Sequence, residues 1–182
     1  MRFLIASDLH GSAYFTRLLL ERFEKERADR LLLLGDLLYH GPRNALPREY
    51  DPASVAAMLN GYRDRILAVK GNCDSAVDQM VLDFPIEAPY LPVFADGYSL
   101  YLTHGDVFTP ESPMPTPPGS AFLFGHIHVQ VKEWRDGILY LNPGSLSIPK
   151  GDSVSAYMIF ENGVFTFKNT DGAAFDEAAL RA

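Results

Sequence analysis

Apolar residues in this chain come in short runs, and each early run stops at a compact polar block. Arg2–Ala6 is apolar without helical spacing and predicts a buried strand. Phe15, Leu18, Leu19 and Phe23 follow at i, i+3, i+4 and i+8, one face of a helix, with Ser12 placed to cap it and the charged stretch Glu24–Arg27 at its end. Leu31–Leu34 is a second buried run. Asp51-Pro52 supplies an N-cap and an N1 proline for a helix carrying Val55, Met58, Leu59 and Tyr62. Ile66–Val69 predicts a third strand, and Val77, Met80, Val81 and Phe84 mark a short helix with Asp74 as its N-cap. Beyond Pro85 the pattern turns to short strands: Ser99–Leu102, Ala121–Phe124, Val129–Trp134, Ile138–Leu141, Ala156–Phe160 and Val164–Phe167. Asp136-Gly137 and Asn162-Gly163 are hairpin turns between them. The first half therefore reads as parallel α/β and the second as largely antiparallel.

Composition narrows the class. At 182 residues the chain suits a single domain spanning residues 1–182, and no repeat divides it. With 47% hydrophobic and 12% aromatic residues it is not a disordered acidic segment. A net charge of −7 argues against a nucleic-acid polymer as partner. The single Cys73 excludes an intrachain disulfide and a cysteine zinc cluster. No apolar run reaches the ~18 residues of a membrane helix, and the run at Phe3 is too short for a signal peptide. The expectation is a cytoplasmic protein with no membrane partner.

The chemistry lies where the strands end. Phe3–Ala6 leads to Asp8-Leu9-His10, Leu31–Leu34 to Gly35-Asp36, and Ile66–Val69 to Gly71-Asn72-Cys73-Asp74. Leu100–Leu102 leads to Thr103-His104-Gly105, and Phe122–Phe124 to Gly125-His126-Ile127-His128. Functional groups gather at strand carboxyl ends in parallel sheets. Imidazole, carboxylate and amide oxygen together suit divalent ions such as Mn, Fe, Co, Ni or Zn. Seven candidate ligands, Asp8, His10, Asp36, Asn72, His104, His126 and His128, exceed one tetrahedral site and match two ions sharing a carboxylate. Each block alone is weak, since Asp-x-His and Gly-Asp are common turn sequences. Their order, each at a strand end, is specific.

In that order the blocks resemble the signature of the calcineurin-like metallophosphoesterase superfamily: D-x-H, G-D, G-N-[HC]-[DE], a later H and G-H-x-H. Gly35–Asn44, Gly71–Asp74 and Asn142-Pro143-Gly144-Ser145 are similar to its small bacterial phosphodiesterases of the YfcE type. The resemblance implies a two-sheet β-sandwich flanked by helices, an α/β fold with a dinuclear site at strand ends. It implies one ion on Asp8, His10, Asp36 and His128 and another on Asp36, Asn72, His104 and His126, with Asp36 bridging. The ions are usually manganese. It further implies hydrolysis of a small phosphodiester by a hydroxide bridging the metals, with Asp36, Asn72 and His104 as the catalytic set.

Many members have His where this chain has Cys73, and that His helps to protonate the leaving group. A thiol is no equivalent acid, so Cys73 reads as a small, half-buried filler. His40, Arg43 and Asn44 are candidate substrate contacts on the loop after Asp36, although solvated loop residues are the plainer reading. Five prolines between Phe108 and Gly119 predict an irregular loop, either roofing the pocket or meeting another subunit of a homo-oligomer. A non-catalytic alternative is a binding scaffold like the retromer subunit of this fold, whose site is degenerate. Here every candidate ligand position keeps a metal-binding residue, which favours the enzyme. A metallo-β-lactamase-like hydrolase needs His-x-His-x-Asp-His, but Val129-Gln130-Val131 follows His128. Protein serine/threonine phosphatases usually carry Gly-Asn-His-Glu rather than Gly-Asn-Cys-Asp.

Overall fold

In the computed structural model, which describes residues 1–180, two mixed sheets face each other and helices cover the outside of one. β1 (Arg2–Ala6), β2 (Arg30–Leu33) and β3 (Ile66–Ala68) are parallel neighbours. They are joined through α1 (Ala13–Lys25) and α2 (Pro52–Asn60). On the other flank of β1 lie β9 (Ala156–Glu161), β10 (Val164–Asn169) and β11 (Ala174–Ala179), so the first sheet runs β11-β10-β9-β1-β2-β3. The second contains β4 (Tyr90–Ala95), β5 (Tyr98–Thr103), β6 (Ala121–Leu123), β7 (Gln130–Arg135) and β8 (Ile138–Pro143), in the order β4-β5-β6-β8-β7. Among the described residues no helix is long and apolar enough to cross a membrane.

β1 reads as a continuous apolar run because both of its faces are buried. Phe3 and Ile5 point between the sheets with Leu32, Leu100, Leu102, Leu139 and Phe160. Leu4 and Ala6 point outward against Leu19 and Phe23 of α1 and Val55 and Leu59 of α2. The caps are as the sequence predicts: Ser12 Oγ accepts from Phe15 N at 3.3 Å, and Asp51 from Ser54 N at 3.1 Å, with Pro52 in the first turn. Both predicted hairpin turns form, with Asp136 and Asn162 at positive φ.

Four details differ from the sequence pattern. The first half is parallel and the second largely antiparallel, as the pattern predicts, but β5, β6 and β8 pair in parallel and β9–β11 return to complete the first sheet. β4 lies outside the strands that the pattern predicts. Pro92 is tolerated there because β4 is an edge strand. Asp74 does not cap α3 (Ala76–Gln79); Ser75 does, in a reciprocal box with Asp78. Of the apolar face predicted for α3, Phe84 is buried, but Val77, Met80 and Val81 are 66%, 83% and 50% exposed.

The proline-rich loop does not roof the cleft at the strand ends, since none of its residues lines that cleft. It covers the outer face of the second sheet instead. Met114 is buried there among Phe122, Phe124, Ile138 and Tyr140, and Arg135 donates to Pro110 O while its guanidinium stacks on Tyr140.

Candidate metal centre

The carboxyl ends of β1, β2, β3, β5 and β6 meet at one end of the sandwich, and the seven sequence-predicted ligands meet there with them. They fall into two groups. In one, His10 Nε2 lies 3.0 Å from His128 Nε2, and Asp8 Oδ1 is 3.5 and 3.3 Å from these two nitrogens. In the other, Asn72 Oδ1 lies 3.1 Å from His104 Nε2 and 2.7 Å from His126 Nδ1. Asp36 Oδ2 sits between the groups, 3.7 Å from His10 Nε2 and 3.4 Å from His104 Nε2. Asp8, His10, Asp36, His104 and His128 are buried, while His126 is half-buried.

Backbone groups set the direction of these side chains. The Nδ1 atoms of His10, His104 and His128 lie 2.8, 2.7 and 2.9 Å from the carbonyls of Tyr39, Leu34 and Ile148. Nδ1–H donation to those carbonyls leaves each Nε2 with an unshared pair aimed inward. Each carboxylate has one oxygen held by an N–H: Asp36 Oδ1 accepts from Cys73 N at 2.7 Å, and Asp8 Oδ2 from His126 N at 3.1 Å. The other oxygen of each faces the histidines, and Asp8 Oδ1 is buried without a hydrogen-bond donor. Acceptors facing acceptors call for a proton or a metal ion between them, and the donor set of imidazole, carboxylate and amide oxygen fits divalent ions.

Without an ion, protons on the imidazoles take the cation's place, and metal binding would displace them. Burial works against charge on Asp8, His10, Asp36 and His104, yet for these four the mutual attraction wins. Despite burial, the neighbouring Asp36 and Asp8 hold His104 up to about 10. Asp8 does the same for His10, which is also raised. Burial alone would raise Asp8, but His10 and His128 pull it well below the ordinary carboxylate range. His126 is lowered, first by burial and then by the charge of His104.

Strain concentrates here too. Asp8, His10, Asp36, His126 and His128 have φ of 57°, 48°, 55°, 68° and 62°. For residues with a Cβ this left-handed conformation costs on the order of 1 kcal/mol each, and the surrounding fold must hold them in it. Gly71 and Gly125 allow close approaches, for a Cβ on the first would collide with Asp36 Oδ1 and one on the second with Ser7 Oγ.

Other residues hold the loops. Asp74 accepts from Asp36 N, Leu37 N and Gly71 N, each at 2.8 Å, and so ties the β2 loop to the β3 loop. Asn142 Nδ2 donates to Gly125 O at 2.7 Å, and the hydroxyls of Ser145 and Ser147 donate to Asp8 O. The Asn142–Ser145 motif therefore positions two ligand loops. Over the centre lies a cleft of 450 Å³ lined by Asp36, Asn72, His126 and His128 together with Arg43, Asn44 and Lys150. Lys150 escaped sequence reading because no spacing marks it; its N–H donates to His128 O and brings it to the rim. His40 does not line the cleft; its ring packs edge-on between Tyr39 and Tyr50. Cys73 does line it, and burial followed by the nearby Asp36 pushes its thiol up to about 12. That thiol remains neutral at physiological pH.

The calcineurin-like phosphoesterase superfamily domain matches residues 1–163. Phosphodiesterase YfcE of Escherichia coli K12 is 46% identical over 166 residues, covering 91% of this chain and 90% of its own. The solved structure of that E. coli phosphoesterase superposes with a TM-score of 0.96 at 43% identity over the whole of both chains. Vacuolar Protein Sorting 29 from Cryptosporidium parvum shares the fold, with a TM-score of 0.65 at 18% identity over 98% of this chain and 97% of its own. The two-sheet sandwich, the clustered metal-binding side chains and these matches lead to one conclusion: the chain belongs to the calcineurin-like phosphoesterase superfamily.

Proposed function

We propose that residues 1–182 act as one metallophosphoesterase domain that hydrolyses small phosphodiesters with two divalent ions. The observation that carries this reading is Asp36 Oδ2, poised between His10 Nε2 and His104 Nε2 with a donor group on either side. Asp8, His10, Asp36 and His128 would hold one ion, and Asp36, Asn72, His104 and His126 the other. Bound divalent ions supply Lewis acidity and lower the pKa of water. Manganese is the first choice, and iron, zinc, nickel or cobalt suits the same donors.

The chain's own residues do the rest. Asp36 fixes the spacing of the two donor groups, and His104 and Asn72 orient the second. Arg43 and Lys150, both exposed at the cleft rim, bring positive charge to an otherwise acidic protein and orient the phosphate. Asn44 is tied by its Nδ2 to His40 O at 2.8 Å and stabilises the Arg43 loop. Cys73 supplies no proton, so substrates with good leaving groups react best. A 450 Å³ cleft and a net charge of −7 favour a small diester over a nucleic-acid polymer. The one free cysteine accords with a cytoplasmic enzyme, and exposed Tyr90 and Phe94 on edge strand β4 accord with a homo-oligomer.

The test is metal-free protein reconstituted with single metals and assayed on aryl phosphodiesters and phosphomonoesters side by side. Turnover should need added metal, favour diesters, and fall steeply as leaving-group pKa rises. Absence of metal-dependent diester hydrolysis would overturn the reading and favour the binding scaffold.

A further inference from the structure

A second, apolar pocket of 750 Å³ lies beside the cleft, between α2 and the segment around α3. Tyr39, Tyr50, Ala53, Ala57, Val77 and Val81 form much of its wall. Cys73 lines both this pocket and the cleft, so one small side chain stands between them. Its volume is that of a small-molecule site, where an apolar wall with few polar groups is usual.

Four observations define the occupant. The apolar side chains of Val77 and Val81 are left exposed by the core and border this pocket instead, so they remain available to a ligand. Three polar side chains in the wall are already used: Asn60 bonds Val81 O and Asp83 N, while Ser75 and Asp78 cap α3 against each other. Asp78 is also the one charged lining residue among those described, and it is negative. Nothing there would hold a second anion. Two tyrosines suit a flat ring.

We propose that this pocket binds an uncharged aromatic ester arm of the phosphodiester while its phosphate sits in the cleft above Asp36. The inference rests on the phosphodiesterase reading and names the substrate class it selects. A His in place of Cys73 would set a larger, polar side chain at the junction of cleft and pocket; Cys73 leaves that junction open to an apolar arm.

The test uses manganese-loaded full-length protein and two non-hydrolysable probes, phenylphosphonate and methylphosphonate, with binding measured by calorimetry. Burying a phenyl ring should favour phenylphosphonate by about tenfold or more. Ala57→Trp fills the pocket and Val77→Asp places a carboxylate in it; both replace exposed residues. Each should cut the preference below about threefold and raise KM for bis(4-nitrophenyl) phosphate. Equal binding of the two probes by the parent protein, or a preference that survives both variants, overturns the pocket while diester turnover still supports the enzyme. If neither probe binds and no diester is hydrolysed, the phosphodiesterase reading itself has failed and the pocket assignment falls with it.

Discussion

Glu26, just after α1, and Asp36, just after β2, are both carboxylates shielded from water, but their neighbours differ in kind. The Glu26 side chain is 11% exposed and accepts from Arg2, Tyr157 and Lys168, so donors and positive charge surround it. The Asp36 side chain is 3% exposed, and its Oδ2 faces imidazole nitrogens whose other ring atom is committed to a backbone carbonyl. One cluster is complete within the chain. The other gathers acceptors at strained backbone positions and leaves them to protons or to ions from outside the chain. A buried ionic group is thus no sign of function by itself. An excess of aligned acceptors is.

The sharpest way to break this contrast is Asp36→Asn. An amide cannot supply a bridging negative charge, so both donor groups weaken together. Hydrolysis of aryl diesters should fall by at least about 10³-fold, and elemental analysis should find fewer than two ions per chain. Adding manganese should raise the melting temperature of the parent protein and not that of the variant. A variant with two ions and full activity would show that Asp36 bridges nothing.

A smaller effect is expected at Asp74, which touches no proposed ion. Asp74→Ala removes the acceptor for three buried N–H groups that hold the β2 and β3 loops together. Stability should drop by about 3 kcal/mol. Metal affinity should fall roughly 10–100-fold, the usual consequence of losing an outer partner. Denaturant unfolding of metal-free protein gives the first quantity and metal titration the second. A loss of stability with unchanged metal affinity would confine Asp74 to the fold.

Asp74 also marks where sequence reading stops. The ligand blocks are legible because each is local, a polar cluster directly after an apolar strand, and their order carries the fold. What depends on distant partners leaves no such mark. Asp74 precedes a short helix and looks like its cap, but its acceptor role is defined by Asp36 and Leu37 across another loop. β4 carries Pro92, which a strand tolerates only at an edge, and the edge is defined by the pairing order alone. The spacing of Val77, Met80 and Val81 predicts a short helix there, but only Ala76–Gln79 is helical and the three side chains stay exposed. Lys150 reaches the cleft only through the backbone bond to His128.

The mildest test concerns the complete cluster and its pH dependence. Burial acts to raise the Glu26 carboxyl, but Lys168, Tyr157 and Arg2 outweigh it, and its pKa in the folded protein is lowered from 4.5. Unfolding releases those partners, so the unfolded chain takes up a proton at higher pH than the folded one. The ionised group therefore contributes stability above about pH 4.5, and that contribution is lost as pH falls through the lower, folded value. Glu26→Gln should cost about 2 kcal/mol at pH 7, the range of hydrogen bonds to a charged group. The gap between parent and variant should close as pH falls below 4. Because no ion is involved, the same gap should appear with and without manganese. Urea unfolding across this pH range, with and without manganese, measures all of this. A gap that is constant with pH would mean that Glu26 acts by packing, and a gap that depends on manganese would mean that the two clusters are coupled.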